Sequence, residues 1–227
     1  MSEPKELAQL YPQTCPFCSI AAAYPHRSAS ANSTNSISSS SSRDSSITTT
    51  PFLLSSIPLT PSHIDPAKVS PAAYVVLAAP RVLAFLDIMP MTRGHLLVTT
   101  RRHRRKVEEL VGGGEGGSFW LPLLAKTVAA VTGVSDYNIV QNNGARAAQV
   151  VPHVHFHIIP RPASLPALQN KSWTMFGRGQ REELDDAEAA ALAASMRHVL
   201  RGEVLRMLEL QQRRERRGRR KKMGGRL

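Results

Sequence analysis

An α+β domain is what this sequence predicts, and three observations predict it. Five short apolar, partly β-branched runs lie between residues 74 and 159. Two longer stretches, 118–132 and the segment from Asp185 onward, carry helical character. The links between the apolar runs are short, which favours antiparallel pairing over long crossovers. The expected architecture is a five-stranded antiparallel sheet with two helices.

Each element has its own reason. Tyr74–Leu77 and Val82–Leu86 flank the turn Ala79-Pro80-Arg81 and read as a hairpin. His95–Thr100 is a third strand, opening after Gly94. The helix over 118–132 carries Pro122 in its first turns, where proline is tolerated. Tyr137–Gln141 is a fourth strand and His153–Ile159 a fifth, with Pro152 and Pro160 at its ends, where proline costs little. The last helix begins near Asp185 with acids in front and Arg197, His198 and Arg201 further along, an order that suits the helix dipole.

The rest of the chain reads differently. Residues 28–50 hold 15 Ser or Thr among 23 positions, too little apolar surface to offset the entropy of ordering. Disorder is expected there and on through the proline-punctuated stretch to Pro71. The chain of 227 residues thus divides into an N-terminal segment 1–23, a disordered insert 24–70, a core 71–165, a C-terminal extension 166–212 with its helix, and a disordered basic tail 213–227. The net charge is +12, but residues 213–227 hold nine Arg or Lys against the single acid Glu215. Basicity therefore belongs to the tail and says little about an active site. No run approaches the roughly 18 apolar residues of a membrane span. Glu3 and Glu6, with no apolar stretch behind them, argue against a secretory signal. A cytoplasmic protein with no membrane contact is expected.

The chemistry concentrates in His153-Val154-His155-Phe156-His157. Side chains alternate along a strand, so three imidazoles share one face at steps of about 6.6 Å while Val154, Phe156 and Ile158 point to a core. A neutral imidazole is both a nucleophile and a metal ligand. On spacing alone, a His-x-His metal cluster is the rival of a nucleophilic site, and an ordinary strand with satisfied histidines is the bland alternative.

His-Val-His-Phe-His-Ile-Ile matches the signature of the histidine triad superfamily, and three upstream blocks resemble its other hallmarks: Phe85-Leu86-Asp87-Ile88, Gly94-His95-Leu96-Leu97-Val98 and Gln141-Asn142-Asn143-Gly144. The resemblance covers residues 12–20 and 74–162 and is strongest to the nucleoside phosphoramidase branch. It implies a HIT-like fold and a purine nucleotide substrate whose α-phosphorus is attacked by His155, giving a nucleotidyl-histidine that water resolves. It further implies a catalytic group of His155, His157, His95 and His153, with His157 and His95 on the phosphate side. Asp87 would accept from the ribose hydroxyls, Phe85 and Ile88 would lie beside the base, and Asn142 and Gln149 would contact the phosphate or leaving group. One departure stands out. Family members often carry Ser or Thr after the glutamine before the triad, whereas this chain has Val150, which has no hydroxyl to donate.

Cys15-Pro16-Phe17-Cys18 holds both cysteines of the chain, and a lone close pair reads as a metal knuckle or redox pair before a structural disulfide. Spacing alone leaves the other ligands of a zinc ion unnamed. The resemblance implies His103 and His153 for them; otherwise His103 belongs to a solvated basic cluster with Arg101, Arg102, Arg104, Arg105 and Lys106. The tail, Arg213 to Lys222, reads as a nuclear localisation signal, a nucleic-acid contact or a solvated helix end. Dinucleoside polyphosphate hydrolysis and removal of adenylate from DNA ends are rival activities within the superfamily, and a catalytically weak nucleotide-binding scaffold is a rival of another class. The resemblance and the unblunted edge character of Tyr137–Gln141 together imply a homodimer with one continuous sheet.

Overall fold

The computed structural model describes residues 15–26, 53–112, 115–163 and 183–224. The expectation of disorder over 27–52 lies outside them. Three principal helices are α1 (Pro16–Ala23), α2 (Trp120–Thr132) and α3 (Asp186–Gly224), and the strands are β1 (Val75–Ala78), β2 (Val82–Leu86), β3 (Leu96–Thr100), β4 (Tyr137–Val140) and β5 (His155–Pro160). The strands form one antiparallel sheet in the order β1-β2-β3-β5-β4. The α+β class and the five-stranded antiparallel sheet are as expected.

The two faces of the sheet do different work. One packs against α2 and α3 through Leu86, Leu96, Val98, Leu124, Met196 and Leu200, all essentially inaccessible to water. Along α3 the apolar positions Ala189, Leu192, Ala193, Met196, Leu200 and Val204 recur at steps of three and four, the stripe a helix needs to lie on a sheet. Truncating one of these, such as Met196→Ala, costs roughly 2–5 kcal/mol. Asp185 starts the helix, its carboxylate accepting the Glu188 N–H at 2.8 Å. The opposite face holds a smaller cluster in which Phe17 and Ile20 of α1, with Tyr24 just past its end, meet Val75, Leu83, Phe85 and Leu97. Among the described residues, helix α1 covers only part of this face, and the histidines of β5 emerge beside it.

Strand register delivers those histidines. His155 lies opposite Thr99 and His157 opposite Leu97 on β3, so β5 is a central strand with His155 and His157 on the α1 face. Gly94, at φ +85°, turns the chain into β3; a Cβ there would collide with Thr132 of α2.

Four expectations need correction. The stretch 53–70 is ordered, because Leu53 and Ile57 insert into the main core and the Ser56 carbonyl accepts from the Ala78 N–H at 2.7 Å. Helix α1 is a third helix beyond the two expected; it is eight residues long and opens with Pro16 and no side-chain cap, so its sequence carries little helical signal. Residues 213–224 continue α3 as helix, since Arg, Lys and Glu are good helix formers and no proline intervenes. His153 lies before β5 and not on it, in a bend that turns its ring away from His155.

Candidate active site and metal centre

His155 sits at the start of β5, 5% exposed, with its Nδ1–H donating to the carbonyl of His153 at 2.6 Å. A carbonyl can only accept, so this bond fixes the tautomer and leaves Nε2 with a free lone pair. Burial holds the ring below the ordinary histidine range, against a smaller opposite effect of the hydrogen bond to His153. The ring is therefore neutral and oriented, the two conditions a nucleophilic imidazole needs. Phe17 packs edge-on against it at 5.1 Å and His157 lies 4.8 Å away on the next inward position of the strand.

His157 is oriented from behind. Its Nδ1 is 3.0 Å from Nε2 of His95, which is itself 1% exposed. The Met91 N–H donates to His95 Nδ1 at 3.2 Å, so in a neutral His95 the proton is on Nε2 and is donated to His157. His157 then carries its own proton on Nε2. An Asp87 carboxylate oxygen lies 3.3 Å from His95 Nδ1 and becomes an ion-pair partner whenever His95 is protonated. The other Asp87 oxygen accepts the Met89 N–H at 2.9 Å, which holds the carboxylate at the end of β2.

These groups face a cavity of about 730 Å³ whose wall includes Phe17, Phe85, Asp87, Asn142, His155 and His157. That is room for a small-molecule ligand. Most of the remaining wall is apolar, from α1, residues 69–73, Ile88, Met89 and Met91. The loop 142–150 closes one side. Within it Asn142 Nδ2 donates to the Ala148 carbonyl at 3.3 Å, and Ala148 itself adopts a left-handed φ of 61°. Val150 lines the cavity and is 77% exposed, an apolar side chain at the mouth.

The expected site residues divide accordingly. Phe85, Asp87, Ile88, Asn142, His155 and His157 share the cavity wall. His95 stands behind His157 and is not among the residues of the cavity wall. Gln149 is not among the residues of the cavity wall: its side chain accepts from the Gly144 N–H at 2.6 Å and donates to the Arg105 carbonyl at 2.9 Å, bracing the loop from within. His153 turns its ring to the cysteines, and only its carbonyl serves His155. Phe17, Met89 and Met91 were not anticipated as wall residues; the position of Phe17 inside the cysteine knuckle was the one available signal.

The cysteines form the second constellation. Cys15 Sγ is 3.3 Å from Nδ1 of His153, and Cys18 Sγ is 3.3 Å from Nδ1 of His103 and 3.6 Å from that of His153. The four ligand atoms of Cys15, Cys18, His103 and His153 lie within 4.8 Å of one another. A tetrahedral zinc with Zn–S and Zn–N bonds near 2.0–2.3 Å requires ligand separations of roughly 3.3–3.8 Å, so the set fits such an ion. His153 Nε2–H donates to the Thr100 carbonyl at 2.8 Å, which leaves Nδ1 as the free donor atom facing the sulfurs. Burial pushes His153 down to about 4, keeping it neutral. Burial and the adjacent Cys15 push the Cys18 thiol up to about 11, an effect a bound cation reverses.

Comparison with known proteins bears on the same region. The family model for the HIT domain matches residues 69–164. The chain is 50% identical over 80 residues to adenosine 5'-monophosphoramidase hnt1 of Schizosaccharomyces pombe, covering 35% of this chain and 58% of that protein. It is 46% identical over 91 residues to an uncharacterized HIT-like protein of Methanocaldococcus jannaschii, covering 39% of this chain and 69% of that protein. The match thus spans less than two thirds of the fission yeast relative. Among solved structures, a hypothetical histidine triad nucleotide-binding protein from Sulfolobus tokodaii superposes with a TM-score of 0.49 at 22% identity, over 57% of this chain and 85% of that one.

Proposed function

The chain belongs to the histidine triad family, and we propose that it is a nucleotide hydrolase that cleaves purine nucleoside monophosphate conjugates at the α-phosphorus through a nucleotidyl-histidine. The observation that carries this reading is the 2.6 Å bond from His155 Nδ1–H to the His153 carbonyl, because it leaves Nε2 unprotonated at the wall of a nucleotide-sized cavity.

The reaction follows in two displacements. The lone pair of His155 Nε2 forms a bond to phosphorus, and the phosphorus–nitrogen or phosphorus–oxygen bond of the conjugate breaks. The leaving group departs with the bonding pair and takes a proton from water at the cavity mouth, where Val150 offers none. The nucleotidylated ring carries positive charge, which the His153 carbonyl supports through Nδ1–H. Water then attacks phosphorus, gives its proton to solvent, and returns the lone pair to Nε2. His157, whose proton is directed to the cavity by His95, stabilises the phosphoryl oxygens as charge builds on them. Asp87 takes the ribose hydroxyls, and Phe85 and Ile88 flank the base.

Two further elements complete the proposal. Zinc held by Cys15, Cys18, His103 and His153 would act as a structural clamp, supplying no chemistry to the reaction but tying α1, and with it Phe17, to the triad. Two chains would pair through the edge strand β4 into a continuous sheet.

The test compares turnover of adenosine 5'-phosphoramidate with that of diadenosine triphosphate on the purified full chain. Faster release of AMP from the phosphoramidate is expected. Tight binding of AMP without turnover of either compound would favour the scaffold reading that Val150 raises, and preference for the dinucleotide would reassign the substrate.

A further inference from the structure

Helix α3 leaves the domain. Among its described side chains the last buried one is Leu208, and residues 209–217 are exposed at every position, yet the backbone stays helical to Gly224. At 1.5 Å per residue the overhang beyond Leu208 is about 24 Å long. Residues 213–222 carry eight Arg or Lys against Glu215 alone. At 100° per residue these cationic positions distribute around the whole helix and define no single face. No apolar residue occurs between Leu210 and Met223.

We propose that this overhang is a binding element for duplex DNA, lying in the major groove with Arg213, Arg214, Arg216 and Arg217 on the flanking phosphates. The charge distribution selects this partner. An anionic membrane surface is engaged by a helix with an apolar face, and this segment has none. A flat acidic protein surface would use one side of the helix and leave the other cations unpaired. The major groove of B-DNA is about 12 Å wide, admits a helix, and presents phosphates along both walls. The corresponding groove of A-form RNA is too narrow and deep. Like charges at Arg213 and Arg217, and at Arg213 and Arg216, also repel within the free helix. Phosphates on both sides remove that repulsion, so binding strengthens the helix. Because the overhang starts beyond the core, this binding does not depend on the hydrolase site.

The experiment is anisotropy titration of a labelled 20-base-pair DNA duplex with the full chain, repeated with Arg213→Gln, Arg214→Gln, Arg216→Gln and Arg217→Gln combined. Gln keeps helix propensity, so the variant folds, and circular dichroism verifies it. The unsubstituted chain should lose affinity by roughly 10³-fold between 50 and 200 mM salt, as expected for six or so phosphate contacts. The variant should bind at least tenfold more weakly at 50 mM, and its salt slope should be smaller by about four. Helicity of the unsubstituted chain should rise on adding DNA, and the variant's phosphoramidate turnover should not change. Equal binding by both proteins, absence of salt dependence, or tighter binding to A-form duplex RNA or to phosphatidylserine vesicles overturns the proposal.

Discussion

His153 and His155 are joined by their backbone and divided by their rings. The carbonyl of His153 receives the Nδ1–H of His155 at 2.6 Å, while the ring of His153 lies 3.3 Å from Cys15 Sγ on the far side of the bend. One residue therefore belongs to two sites, orienting a nucleophile with its main chain and facing a metal-ligand set with its side chain. Phe17 bridges the same two sites, since its ring packs on both His153 and His155.

Replacing the nucleophile is the most direct test of the proposed chemistry. His155→Asn is expected to lower turnover of adenosine 5'-phosphoramidate by roughly 10⁴-fold, as loss of a covalent nucleophile commonly does. AMP affinity measured by calorimetry should stay within a few-fold, since Asp87 and the apolar wall are untouched. Near-normal turnover in this variant would falsify the mechanism.

The intermediate itself can be trapped. A nucleotidyl-imidazole is acid-labile, so quenching belongs at neutral or alkaline pH. Mass spectrometry should then find one added nucleotide on the peptide containing His155; the same mass on a lysine points to a different nucleophile.

The cysteine cluster makes a separate prediction. Purified protein should contain about one zinc per chain, lost in the Cys15→Ser, Cys18→Ser double variant. Apparent affinities of structural zinc sites reach roughly 10–16 kcal/mol, so that loss should lower the melting temperature measurably. Metal-free protein whose melting is indifferent to the double substitution would rule the clamp out.

Val150 offers a gain-of-function test. A hydroxyl at the cavity mouth that donates to the departing group adds one hydrogen bond of about 1.4 kcal/mol, equivalent to about tenfold in rate. Val150→Ser is expected to raise phosphoramidate turnover by about that factor. Unchanged turnover means that protonation from the mouth does not limit the reaction.

Association should follow β4, which among the described strands pairs with β5 alone. At the β1 edge, the Arg197 guanidinium occupies the Val75 carbonyl at 2.7 Å and Ser56 takes the Ala78 N–H, so that edge is blunted. At the β4 edge, Tyr137 and Ile139 are 39% and 44% exposed. Light scattering should report a dimer at micromolar concentration and a monomer for Ile139→Lys. A monomeric unsubstituted chain removes the pairing.

Local pattern alone settled much of this molecule. Short apolar, partly β-branched runs set off by nearby proline and glycine were enough for the five strands, because a strand's residue types and breakers are written within a few consecutive residues. The alternation of side chains along a strand put His155 and His157 on one face, whereas Asp87 and Asn142 were legible as candidates only through the blocks that resemble the histidine triad family. What depends on distant contact was not legible. Helix α1 is helical because Phe17 and Ile20 find the open face of the sheet, and residues 53–57 are ordered because Leu53 and Ile57 find the core. Gln149, a ligand contact only by resemblance, bonds through its side chain to the backbone of Gly144 and Arg105, partners that no local pattern names. His153 follows the strand alternation in sequence, yet a bend at residues 151–153 turns it out of register and into the cysteines. A residue's face along a strand is set by its neighbours in sequence. Which partners satisfy a buried polar group is set by what folding brings within about 3 Å of it, and that only the tertiary structure decides.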